Sequence, residues 1–111
     1  MKSKSLPEME KAIATVSDIY ADRFGIERDK AWYLAKMTEE LGELAAADLR
    51  LSKKARPNGS SKAELEEALA SEAADLFAHL VLFCRDRGIS LQDAVHAKWL
   101  KHLPEEASQE D

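Results

Sequence analysis

Apolar residues recur every three or four positions along most of the chain, which is the spacing of one face of an α-helix. A segment from Lys30 to about Leu51 has such a face, made of Leu34, Met37, Leu41, Leu44 and Ala45. A longer segment after Ser61 has another, made of Leu65, Leu69, Ala73, Leu76, Leu80 and Phe83. Strand-like alternation does not occur, so the pattern predicts an all-α protein.

Residues that favour helix ends divide this pattern into about four helices. Predicted N-caps stand at Ser5, Asp29, Ser61 and Ser90. A glutamate follows three residues after the first and third of them, as in a capping box. The four helices are predicted to end near Phe24, near Leu51, before Gly88 and before Pro104. The last of them carries Leu91, Val95 and Trp99 on its apolar face. We therefore expect a helical bundle.

The segments between and after these helices indicate one domain over 1–111. Residues 53–60 contain a proline and an Asn-Gly pair without apolar periodicity, which is typical of a loop. The polar segment 105–111 is predicted to be a frayed tail. Lys53, Lys54 and Arg56 in the loop either approach a phosphate ligand or are simply solvated.

Composition adds expectations about partners and location. Only 6% of the residues are aromatic and much of the apolar content is alanine, so one copy builds a thin core and we expect a homodimer or homotetramer that forms a larger bundle. The formal charge of −5 disfavours binding to nucleic acid. No segment has the length and hydrophobicity of a signal peptide or membrane span, and Cys84 is the single cysteine. We expect a soluble, cytoplasmic protein.

Two acidic pairs are the strongest chemical feature of the sequence. Glu40 and Glu43 lie three residues apart on the second helix, and Glu72 and Asp75 repeat that spacing on the third. Two antiparallel helices joined by one loop can bring these pairs together. Four carboxylates repel each other unless a cation is present, and ligands that are all oxygen suit Mg²⁺, Mn²⁺ or Ca²⁺.

Other interpretations of these pairs are open at this point. Acidic residues on helices usually form a solvated face, and spacing alone gives that explanation equal weight. A di-iron bundle would require Glu-x-x-His, whereas Asp75 follows Glu72 and Glu43 follows Glu40. His79 is more often a packing group, or a partner of a metal ligand, than a ligand itself.

The pattern Glu39-Glu40-x-x-Glu43 followed by Glu72-x-x-Asp75 resembles the signature of the MazG-like all-α nucleotide pyrophosphohydrolases. Dimeric dUTPase relatives, dCTPases and phosphoribosyl-ATP pyrophosphohydrolases have the same signature, and the resemblance covers roughly 32–99. It implies Mg²⁺-dependent hydrolysis, with Mn²⁺ as an alternative, of a nucleoside triphosphate to a monophosphate and pyrophosphate. It also places Glu40, Glu43, Glu72 and Asp75 at the metal-ligand positions.

Other residues near these positions are candidates for catalysis and for phosphate binding. Glu39 is the candidate catalytic base, although a solvated side chain is comparably frequent at this position. Lys36 contacts the phosphates or pairs with Glu40. Lys98 matches a family lysine that can contact the triphosphate, but the asparagine and arginine that often follow it are absent here, so Lys101 or His102 takes part of that role.

Trp32 stacks on the substrate's base or belongs to the core. Three functions follow from these residues: a pyrophosphohydrolase that cleanses the nucleotide pool, a metal-stabilised dimerisation or regulatory module without turnover, and, less favoured, a phosphoribosyl-ATP pyrophosphohydrolase.

Overall fold

The computed structural model describes residues 3–53 and 59–104. They form the helices α1 (Leu6–Phe24), α2 (Lys30–Leu51), α3 (Lys62–Asp86) and α4 (Leu91–Lys98), and a 3-10 helix at Leu100–His102. No strand occurs in these two segments. The predicted all-α class with four helices is confirmed. Lys54, Arg56 and the predicted tail 105–111 lie outside the described residues.

Polar caps begin the helices where the sequence predicts them. The Ser5 hydroxyl accepts from the backbone N–H of Glu8 at 3.3 Å, and the Glu8 carboxylate accepts from the N–H of Ser5 at 2.9 Å. Ser61 and Glu64 repeat this capping box with distances of 3.2 and 2.8 Å. Such pairs satisfy N–H groups that have no partner within the helix. Both predicted capping boxes are confirmed.

The hairpin of α2 and α3 forms the main packing surface of the chain. The two helices are antiparallel, since Trp32 of α2 lies beside His79 of α3 and Leu51 lies beside Leu65. α1 packs on the C-terminal half of α3. The buried apolar residues are Ala47, Leu65, Val81, Leu82 and Cys84. This core is small, as the low aromatic content predicts.

The predicted apolar faces match the core only in part. Leu34 and Leu41 on α2 are 50% and 55% exposed, and Ala73 on α3 is exposed. Val81 and Leu82, which the predicted face of α3 does not include, are buried instead. The reason is that α3 has two neighbours, α2 and α1, so its buried surface is wider than one stripe, whereas among the described residues α2 packs mainly on α3 alone.

The fourth helix is shorter than predicted. It ends at Lys98, and a 3-10 helix replaces the expected continuation to Pro104. The N–H groups of His102 and Leu103 donate to the carbonyls of Trp99 and Leu100, both at 3.1 Å. A residue before proline avoids the helical conformation, and Leu103 is accordingly extended. No helix in the described part of the chain is long and apolar enough to cross a membrane.

Candidate active site

Three of the four predicted carboxylates come together where α2 crosses α3. One oxygen from each of Glu40, Glu72 and Asp75 lies within 4.8 Å of the others. Glu40 and Glu72 are half-buried, and Asp75 is exposed. The antiparallel hairpin causes this convergence, because it places the acidic turn of α2 opposite the acidic turn of α3. We call these three residues the carboxylate cluster.

Glu43 is exposed and lies outside the group of three, although its charge acts on the cluster. Partial burial and then the negative charge of Asp75 raise the pKa of Glu40 above its usual value. Partial burial raises the pKa of Glu72 too, followed by the charges of Asp75 and Glu43. The cluster therefore concentrates negative charge that a cation would relieve, and its oxygen-only donors suit Mg²⁺ or Mn²⁺.

Lys36 is the cation that lies nearest to this negative charge among the ion pairs of the described residues. Its Nζ is 2.6 Å from a Glu39 oxygen and 3.8 Å from a Glu40 oxygen. The hydrogen bond and the charge of Lys36 lower the pKa of Glu39 below its usual value. Glu39 itself faces solvent, with a side chain that is 59% exposed. One lysine thus joins the predicted base to the cluster.

An apolar cavity of about 500 Å³ adjoins the cluster on the side of α1. Its wall includes Asp75 and Lys36 at one end, and Trp32, His79 and Tyr20 further along. Half of the remaining wall residues are apolar residues of α1: Met9, Ala12, Ile13, Val16 and Ala21. The cavity is therefore an apolar space that opens directly beside a concentration of negative charge.

Trp32 and His79 form part of the cavity wall together. Their rings meet edge to face, with centroids 5.9 Å apart. Burial, followed by the charge of Lys36, lowers the pKa of His79, which keeps the ring neutral at pH 7. Its Nδ1 is buried and has no hydrogen-bond partner within the described ranges 3–53 and 59–104. His79 therefore lies next to the cluster as a packing residue with one unused polar atom.

The structure does not bring the two predicted lysines of the C-terminal region to this site. Lys98 ends α4 and Lys101 lies in the 3-10 helix, and both are exposed. Neither belongs to the cavity wall. After Leu91, every residue of α4 is exposed, because this helix packs substantially only on the 3-10 helix that follows it. Their role with phosphates stays a prediction.

Sequence reasoning missed the contribution of α1 to the cavity. Val16, Tyr20 and Arg28 line it. Arg28 donates to the Ser17 hydroxyl at 2.8 Å and pairs with Asp18 at 2.9 Å, which ties the start of α2 to α1. The apolar spacing of α1 was the available signal, but a cavity wall and a core face have the same pattern.

Comparison with known protein families gives one match over most of the chain. The family model described as phosphoribosyl-ATP pyrophosphohydrolase matches residues 8–98, which contain the whole carboxylate cluster and the cavity wall. No curated protein and no solved structure matches the chain.

Proposed function

Because the chain belongs to the phosphoribosyl-ATP pyrophosphohydrolase family, within the MazG-like all-α superfamily, we propose that it hydrolyses a nucleotide between the α and β phosphorus atoms. The products are then a nucleoside monophosphate and pyrophosphate. The observation that carries this proposal is the convergence of Glu40, Glu72 and Asp75 beside a cavity large enough for a nucleoside.

The cluster is the proposed metal site. Glu40, Glu72 and Asp75 would hold Mg²⁺, or Mn²⁺ in its place, and Glu43 would join them by a change of rotamer or through a water molecule. The metal, when bound, neutralises phosphate charge and activates the attacking water. The protein's own contribution is to hold several carboxylates on two packed helices, so that they are oriented before substrate binds.

Lys36 and Glu39 are proposed to act as a linked pair. In the ligand-free chain the ammonium group holds Glu39 as a weak base, since it lowers the pKa of that carboxyl. A triphosphate at the cluster would attract Lys36 away from Glu39, because it carries more negative charge. The freed carboxylate of Glu39 would then accept the proton of the attacking water.

The cavity is the proposed place for the nucleoside. Trp32 offers an aromatic ring in its wall, and stacking of a base on such a ring contributes about 1–3 kcal/mol. The triphosphate would then leave the cavity beside Asp75 and Lys36, where the cluster begins.

Two classes of substrate fit this proposal. A noncanonical or deoxy nucleoside triphosphate would make the protein an enzyme of nucleotide-pool cleansing. Phosphoribosyl-ATP is the second candidate, and the description of the matching family supports it. Both substrates contain the same anhydride bond. The family match does not favour the module without turnover.

Association of copies is proposed as well. Several large apolar side chains of the single chain face solvent: Val16, Ile19, Phe24, Leu41 and Trp99 are 51–72% exposed. Large apolar side chains of this kind are a common component of interfaces between protein copies. A homodimer or homotetramer would cover it.

The test is pyrophosphate release over a panel of ribonucleotides, deoxynucleotides and phosphoribosyl-ATP, with Mg²⁺, Mn²⁺ or chelator. We expect turnover of at least one substrate that depends on metal, and its loss in Glu40→Gln and Asp75→Asn. Glu67→Gln, which removes a charge from an exposed position of α3, is the matched control and should retain activity. Metal binding without turnover on the whole panel would contradict the proposal.

A further inference from the structure

A second cavity lies at the turn end of the α2–α3 hairpin and differs from the first in the number of cations that line it. Its volume is about 360 Å³, and its wall consists of three cationic residues, a serine and two leucines: Arg50, Lys53, Lys62, Ser60, Leu51 and Leu65. Arg50 is half-buried, and the two lysines are exposed. We call this cavity the basic pocket.

The cations of the basic pocket have no carboxylate of their own. Among the described residues, no acidic oxygen lies within ion-pair distance of Arg50, Lys53 or Lys62. The nearby Glu64 carboxylate accepts from the Ser61 N–H at 2.8 Å, in the cap of α3. In a chain with a net charge of −5, three cations gathered around a cavity form a local site for an anion.

The basic pocket lies on the same two helices as the carboxylate cluster. Arg50 follows Glu40 by ten residues of α2, and Lys62 precedes Glu72 by ten residues of α3, so both axial separations are about 15 Å. Side chains lean toward the N-terminus of their helix, so the Arg50 side chain leans toward the cluster, whereas the long and flexible Lys62 side chain has to extend along α3 to approach it. The charge of Arg50 in fact acts on the Glu72 carboxyl.

Three chemically different regions therefore follow one another along the hairpin. The apolar cavity contains Trp32 near the start of α2, the carboxylate cluster lies in the middle, and the basic pocket closes the turn end. A nucleoside triphosphate has the same order of properties: an apolar base, the phosphorus atom at which water attacks, and then the charged β and γ phosphates.

We propose that the basic pocket binds the pyrophosphate half of the substrate, with Arg50 and Lys62 as its principal contacts. This inference rests on the proposed function, and it adds the direction in which the substrate lies along the hairpin. Arg50 and Lys62 are specificity residues in this account, since they contact the leaving group and distinguish a triphosphate from a monophosphate.

The experiment is a calorimetric titration of inorganic pyrophosphate into the full chain with Mg²⁺ present. The double variant Arg50→Gln/Lys62→Gln should bind pyrophosphate at least about tenfold more weakly, because two charge-assisted contacts are lost. Arg50→Lys keeps the charge but loses the planar pair of donors, so its affinity should lie between those of the unaltered chain and the double variant. Lys11→Gln, a matched loss of charge on an exposed position of α1, should have no effect.

Two further probes determine which phosphate occupies the pocket. The affinity for a nucleoside monophosphate should be the same in the double variant, because that ligand lacks the β and γ phosphates. Ribose 5-phosphate, a probe for the distal phosphate of phosphoribosyl-ATP, should also be unaffected. Unchanged pyrophosphate affinity, or a loss confined to ribose 5-phosphate, would overturn the inference.

Failure of this inference can be distinguished from failure of the proposed function, because the titration requires no turnover. A chain that hydrolyses nucleotides but binds pyrophosphate equally well with and without Arg50 and Lys62 would refute the pocket alone. A chain without turnover whose pyrophosphate binding still falls in the double variant would refute the function and leave the pocket. Circular dichroism of the double variant establishes that its helices are intact.

Discussion

The α2–α3 hairpin and the C-terminal region after α3 are both predicted to supply site residues. Only the hairpin brings several of its predicted residues together in the structure. The hairpin brings Glu40 to Glu72 and Asp75, whereas Lys98 and Lys101 project from α4 and the 3-10 helix into solvent. The hairpin helices pack along their length, so the position of one acidic turn fixes the position of the other. A short helix without such packing does not hold its side chains at a defined position relative to the carboxylate cluster.

The largest effect expected from this difference is the loss of turnover in Asp75→Asn. Asp75 belongs to the cluster and also to the cavity wall, so it lies between the proposed metal and the nucleoside. We expect a decrease in kcat of roughly 10²–10³-fold, the usual cost of one lost electrostatic contact in a reaction centre. The measurement is steady-state pyrophosphate release at saturating Mg²⁺. Activity within a factor of about three of the unaltered chain would remove Asp75 from the site.

Trp32→Ala should have the next largest effect, and it should appear in KM. A lost stacking contact weakens substrate binding by roughly tenfold, while kcat changes by less than about threefold. Initial rates over a range of substrate concentrations separate the two constants. Trp99→Ala is the matched control, because Trp99 is 72% exposed and lies outside the cavity. A large fall in kcat with unchanged KM would mean that Trp32 positions the cluster instead of the base.

Lys98→Met tests the C-terminal region after α3. An exposed lysine contributes about 0.2–1 kcal/mol to an ionic contact, so we expect at most about a fivefold loss in kcat/KM. A loss as large as that of Asp75→Asn would show that α4 does reach an active site. Mixing the Lys98→Met and Asp75→Asn chains would then distinguish the two possible arrangements, since activity returns only if Lys98 acts on a neighbouring copy.

The smallest expected effect is a gain in stability, whereas the preceding substitutions reduce activity. Without metal, burial and neighbouring carboxylates raise the pKa of Glu40, so its charge destabilises the fold at pH values above the unfolded value of 4.5. Glu40→Gln should raise the free energy of unfolding by about 0.5 kcal/mol at pH 7.

The pH dependence of this gain gives the check on its cause. The gain should shrink as the pH falls through the raised pKa of Glu40, and it should disappear below 4.5, where Glu40 is neutral in both states. Urea unfolding in the presence of chelator, repeated over this pH range, measures it. A gain that does not depend on pH would assign the effect to packing.

The sequence predicted the helices, their caps and the acidic spacing because those features depend on neighbours within a few residues. Ser61 and Glu64, for example, form their capping box whatever packs above them. It also predicted the meeting of Glu40 with Glu72 and Asp75, since one loop joins the two helices.

Features that depend on three helices at once were not predictable in the same way. The burial of Val81 and the cavity wall beside Tyr20 both require the position of α1 on α3, and no spacing within one helix encodes it. Glu43 satisfies the spacing but is exposed and lies outside the group of three carboxylates.

The most direct test of the central claim is ³¹P NMR of the products formed from a nucleotide substrate with Mg²⁺. The account predicts resonances of a nucleoside monophosphate and of pyrophosphate in equal amounts, and neither in the Asp75→Asn chain. Formation of a nucleoside diphosphate and orthophosphate would contradict it, because that result would place the attack of water at the γ phosphorus atom.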